Sequence, residues 1–167
     1  QVTGSILSLA NKNSLVWGTG FVNKKLSFIY RPKKIFMVRG EYSLERCRQL
    51  GVRGDIVLGD PGYVISRLYK PQDTPKTYKL GVIPHWIDYN FCKLLFHNRE
   101  DIAVIDLLNP DLESIIDKII SCEKCISSSL HGLVVSHSFD IPCMHVTFSD
   151  HKINSGSIKF SIPGDGI

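Results

Sequence analysis

The sequence is short of the features that announce the commonest function classes. No stretch of about 18 consecutive apolar residues occurs, so no helical membrane span is expected. The first residues carry no basic segment followed by an apolar core, so no secretion signal is expected either. Lys and Arg, 20 against 16 Asp and Glu, never gather into runs of five or more. The mild positive balance therefore argues for a small anionic ligand, and no nucleic-acid partner is expected. The phosphate-loop pattern GxxxxGK[ST] is missing. Gly18-Thr19-Gly20 lacks both the third glycine and the acidic residue about 20 positions on that complete a dinucleotide fingerprint.

Cysteine is present but odd in number, five in 167 residues. In a chain long enough to fold without staples, this predicts free thiols and a reduced, cytoplasmic setting. Cys122-x-x-Cys125 with His131 and His137 does not have zinc-finger spacing, so no metal is expected. As a redox pair it stands in the wrong order, at a helix end and a strand start. A composition of 43% apolar and 22% charged residues is that of a globular chain with a real core.

From residue 35 onward, apolar segments alternate in type. Strands are expected at 35–38, 55–58, 78–83, 102–105, before the serine run at 127–129, and at 142–148. Helices are expected at 42–50, ended by Gly51, then at 64–69, at 88–97 with Phe91, Leu94 and Leu95 on one face, and from Asn109-Pro110 to about Cys122 with Pro at the first helical position. A last helix runs to Phe139. Strands alternating with helices imply βαβ units, a parallel sheet and right-handed crossovers, hence an α/β, Rossmann-like, doubly wound fold.

Ligands of such sheets bind beyond the carboxyl ends of the strands. Polar residues predicted there are Arg39 and Gly40, Asp60, His85, Asp106, and the group Ser128, Ser129, His131 and Gly132. Asp60 and Asp106 have helix capping as the alternative reading. The Ser128–Gly132 stretch carries the most chemistry, because a strand runs through a tight turn into a helix N-terminus, where unpaired amides and the helix dipole favour an anion. Arg39 can hold a carboxylate or phosphate in a two-pronged grip. His131 and His85 are the candidate proton donors and acceptors.

Five segments together resemble the polysaccharide pyruvyl transferase family: VWGTGF at 16–21, MVRGEYSLERCRQLGV at 37–52, GDPGYVI at 59–65, LGVIPHWID at 80–88 and CISSSLHGLVVSHSFDIPC at 125–143. The resemblance implies a GT-B-like pair of Rossmann-like halves, of which this chain would hold the second. It implies phosphoenolpyruvate as donor substrate, no cofactor or metal, and transfer of the pyruvyl group as a ketal. The acceptor would be a sugar of a cell-surface polysaccharide, such as a capsule or cell wall polymer, or its lipid-linked precursor. The corresponding location is cytoplasmic, peripheral at the inner face of the membrane. His131, Arg39 and His85 would then be catalytic, and Ser128, Ser129, Gly132, Gly40 and Asp60 substrate-binding.

On this reading residues 1–30 are the end of a truncated first domain plus a connection, 31–150 a Rossmann-like domain and 151–167 an irregular tail. Ile6, Leu7, Leu9, Val16, Trp17 and Phe21 would be left uncovered, with self-association through that segment as the consequence. Two other functions fit the same architecture. One is a GT-B nucleotide-sugar glycosyltransferase, which would need a late acidic residue on the ribose, whereas Glu123 is the last Glu. The other is a non-catalytic anion- or glycan-binding remnant.

Overall fold

The computed structural model describes residues 1–149 apart from Thr3 and Gln72; the tail expected at 151–167 lies outside the described residues. The fold is α/β, Rossmann-like and doubly wound, with every described strand pairing parallel. The strands do not form one sheet. They make a three-stranded sheet and a four-stranded sheet, in two compact units that divide between Pro61 and Gly62.

In the first unit, β1 (Leu15–Trp17), β2 (Lys34–Val38) and β3 (Val57–Leu58) lie side by side in chain order. Val16 pairs with Ile35 and Trp17 with Met37, so β1 is the outer strand of the sheet that β2 continues. Through β1, residues 1–30 share a sheet with the Rossmann-like segment expected from residue 31 onward. Leu7, Val16 and Phe21, expected to lie uncovered, are buried with Ile35, Val38, Cys47 and Val52 in one apolar cluster. Ile6, Leu9 and Trp17 remain exposed. Helix α1 (Glu41–Gln49) starts at Gly40 and stops where Gly51 takes a φ of +78°, a left-handed conformation that glycine adopts without a Cβ penalty.

In the second unit the strand order is β5 (Ile102–Val104), β4 (Leu80–Ile83), β6 (Cys125–Ser127), β7 (Cys143–His145). The helices are α2 (Ile65–Leu68), α3 (Tyr89–Leu95), α4 (Leu112–Ile120) and α5 (Leu130–Ser138). The 3.6-residue period of α4 buries Ile115, Ile116 and Ile119, and Ile115 and Ile119 pack in one cluster with Ile83, Ala103 and Ile105. Its start differs from the expectation. Asp111 is the N-cap, its carboxylate accepting from the Ser114 amide at 3.0 Å, so Pro110 stands outside the helix. A capping carboxylate satisfies an orphan first-turn amide, which proline cannot do. The apolar face of α3 also departs from the usual pattern: Phe91, Leu94 and Leu95 are exposed, while Cys92 is the buried residue.

Candidate functional site

The sheet of the second unit has a switch point. The chain leaves β4 to form β5 on one side, then crosses to form β6 on the other, so the connections proceed in opposite directions across the sheet while all its strands stay parallel. The crevice outside the carboxyl ends of β4 and β6 is where a doubly wound sheet binds its ligand. His85 follows β4 and the Ser128–Gly132 turn follows β6.

Local hydrogen bonds hold these two segments together. The Ser127 hydroxyl, fully buried, donates to the Ile83 carbonyl at 2.7 Å and has the Ser129 carbonyl at 2.9 Å as a second acceptor. It accepts from the Ser129 amide at 3.0 Å. The Ser128 amide donates to the Ile83 carbonyl at 3.2 Å, and the Ser128 hydroxyl accepts from the His85 amide at 2.8 Å. A helix that would splay from the strand end is thus tied to the neighbouring strand by two serines. Gly132 is required by packing, since a Cβ there would lie 2.3 Å from Ser127 Oγ and 2.7 Å from Ile83 Cγ2.

The amides of Ser128 and Ser129 are thus bonded within the protein, while the Ser128 hydroxyl accepts one bond and keeps its own proton to donate. Ser129 is the N-cap of α5 and its side chain makes no capping bond. The first-turn amides of α5 have no intrahelical acceptor, by helix geometry. His131 is the second residue of this nine-residue helix and is exposed. His85 starts a 3-10 turn over Trp86–Asp88, where its Nδ1 accepts from the Ile87 amide at 3.5 Å.

Arg39, Gly40 and Asp60 come together on the other sheet, at the carboxyl ends of β2 and β3. The Arg39 guanidinium donates from Nη2 to Ser5 Oγ at 2.7 Å. Burial pushes its pKa down from the ordinary value, and the nearby Asp60 carboxylate pushes it back up. Gly20 makes room for this cation, because a Cβ there would lie 2.8 Å from Ser43 Oγ and 3.3 Å from Arg39 Nη2. Gly18, at a φ of +98°, has Pro61 where its Cβ would be. The Gly-Thr-Gly segment thus serves close packing around Arg39 and Pro61. Asp106 caps no helix: its carboxylate accepts from the Leu108 amide at 2.9 Å in the turn after β5, and Asp111 is the cap of α4.

Two residues at the second sheet escaped sequence reasoning. His145 closes β7 in register with Ser127, and partial burial lowers its pKa. The rule that found His85 and His131, applied to the last strand, would have found it. Asp88 is buried and accepts from the Ser149 hydroxyl; no sequence pattern marks it. Among the described residues no three His, Cys, Asp or Glu side chains gather as a metal-binding group. Cys122 and Cys125 instead pack their sulfurs against Gly81, with all five cysteines free. Among the described residues no helix is long and apolar enough to cross a membrane.

The chain is 35% identical over 164 residues to uncharacterized protein L143 of Acanthamoeba polyphaga mimivirus, an overlap of 96% of this chain and 57% of that protein. It is 29% identical over 147 residues to the succinoglycan biosynthesis protein ExoV of Rhizobium meliloti (strain 1021), covering 86% of this chain and 45% of the relative. The chain thus spans about half the length of these curated relatives. No solved structure matches it. The family profile of polysaccharide pyruvyl transferases matches residues 3–150, nearly the whole described chain, and the protein belongs to that family.

Proposed function

We propose that this chain carries part of the active site of an enzyme that moves the pyruvyl group of phosphoenolpyruvate onto a sugar as a ketal. The acceptor is a sugar of an exopolysaccharide, capsule or cell-wall polymer, or of its lipid-linked precursor. The observation that carries the reading is the placement of His85 and His131 at the switch point, joined through the bond from the His85 amide to Ser128 Oγ.

The reaction needs a proton on the methylene carbon of the enol phosphate, stabilisation of the cationic carbon left behind, attack by two sugar hydroxyls and departure of inorganic phosphate. His131, on the first turn of α5, is assigned the proton donor. The α5 first-turn amides and the Ser129 hydroxyl are assigned the phosphate, whose charge suits the positive end of the helix. His85 is the partner that exchanges a proton with an acceptor hydroxyl. Gly132 and Gly40 allow close backbone approach. Arg39, kept charged beside Asp60, is the candidate of the first unit for an anionic group of a substrate. No metal enters this scheme. Five free thiols suit a reducing, cytoplasmic compartment. Self-association through Ile6, Leu9 and Trp17, the part of the N-terminal segment that stays exposed, belongs to the same reading.

The test is phosphate release from phosphoenolpyruvate in the presence of acceptor oligosaccharide, with the product mass raised by one pyruvyl ketal. Consumption of a nucleotide sugar with phosphoenolpyruvate ignored would favour glycosyl transfer. Binding of anions or glycans with no turnover of either donor would favour the non-catalytic role.

A further inference from the structure

Trp86 presents an indole to solvent beside a candidate proton-transfer group. It follows His85 at the carboxyl end of β4 and is 60% exposed, unusual for a side chain with so much apolar surface. The backbone that carries it is held in place. The His85 amide is held by Ser128 Oγ at 2.8 Å, and the Asp88 amide closes the turn onto the His85 carbonyl at 2.8 Å. The indole and imidazole ring centroids lie 5.7 Å apart at 37°. The result is a flat apolar face bordered on one side by a histidine.

We infer that Trp86 is a stacking platform for a pyranose ring, the acceptor saccharide of the reaction proposed above. A pyranose has a face of axial C–H bonds and a rim of hydroxyls. The C–H face, slightly positive, meets the negative π face of the indole. The rim then reaches the imidazole of His85, so stacking orients a hydroxyl toward the group that would exchange its proton. A purely apolar ligand would gain nothing from the histidine edge, and a bare anion would gain nothing from the indole face. The inference rests on the pyruvyl-transfer reading for the identity of the saccharide as acceptor, but not for its binding.

The full 167-residue chain is titrated with the methyl glycosides of glucose, galactose and mannose, and saturation-transfer NMR follows their axial protons. At least one glycoside is expected to bind saturably in the millimolar range, with its axial protons most strongly saturated. Trp86→Ala should weaken that binding at least tenfold and Trp86→Phe a few-fold, with thermal melts unchanged because the side chain is exposed. Trp17→Ala, which removes the exposed tryptophan of the first unit, should leave binding as it was. Absence of saturable binding to all three glycosides, or binding unchanged in Trp86→Ala, overturns the inference. Glycoside binding lost in Trp86→Ala, in a protein that consumes a nucleotide sugar and ignores phosphoenolpyruvate, upholds the platform and overturns pyruvyl transfer.

Discussion

The hydroxyl of Ser127 occupies the space that a side chain at position 132 would need, since a Cβ on Gly132 would come within 2.3 Å of Ser127 Oγ. The two positions should therefore be energetically coupled. Gly132→Ala is expected to destabilise by about 1–3 kcal/mol through overpacking. Ser127→Ala should cost about 1–3 kcal/mol, because it strips the partner of the buried Ser129 amide. In the double variant the clash with Oγ is gone and the contact with Ile83 remains, so the combined cost should fall short of the sum. Denaturant unfolding of the four proteins in the cycle measures this; strict additivity would show that the two residues do not share the space.

His131 is exposed on the first turn of α5, so His131→Ala should leave the melting temperature within a degree or two while lowering phosphoenolpyruvate-dependent turnover about a hundredfold or more. Steady-state rates with donor and acceptor saturating, read beside thermal melts, check this. A variant with normal turnover removes His131 from the chemistry. One that unfolds makes it a structural residue.

Arg39→Lys should act differently. An ammonium cannot reproduce the planar fork, and Nη2 of Arg39 also ties down Ser5. The expected result is a raised KM for phosphoenolpyruvate together with a lower melting temperature. Arg39→Ala should be worse for stability, because it removes both the bond to Ser5 and the positive charge near the buried Asp60 carboxylate. Asp60→Asn in that background should recover part of the loss, measured by denaturant unfolding.

Burial pushes the Cys47 and Cys92 thiols up to about 11. In the unfolded chain a thiol ionises near its ordinary value of about 8.5. The folded pKa lies above the unfolded one, so this stabilisation is complete below about pH 8.5 and is lost as pH rises toward 11. Melting temperature should fall across that window, by about 1–3 kcal/mol of stability per thiol. The Cys47→Ala/Cys92→Ala protein should start lower and lose part of the slope, the rest staying with Cys143, which burial raises to about 11, and with Cys122, also raised. An unchanged alkaline slope in that variant would assign the effect to other groups.

Much of the fold could be read from local pattern. The Ile and Leu period of α4, Gly51 after α1 and the βαβ alternation each depend on a few neighbouring residues and were placed nearly where they lie. What the sequence did not disclose is non-local. Leu15–Trp17 lacked a visible partner because strand pairing is decided by β2, a loop away. The exposed face of α3 reads like any buried amphipathic face. At the site, the strand-turn-helix from Cys125 to Ser138 and the position of His85 were legible. The division of labour among the serines was not, since the direction of each hydroxyl is set by Ile83 and His85, more than 40 residues earlier.

That separation in sequence bears on how the protein folds. Ser127 reaches the Ile83 carbonyl across 44 residues, and the His85 amide reaches Ser128 Oγ across 43. Before β6 docks on β4, neither the turn nor the histidine has its anchor. Closing a loop of that size costs about 3 kcal/mol of chain entropy, met once by the β4–β6 pairing. Long-range parallel pairing is slow to form. The two histidines thus acquire their positions in a single late event, and substitutions that slow this pairing should delay the appearance of the site as a whole.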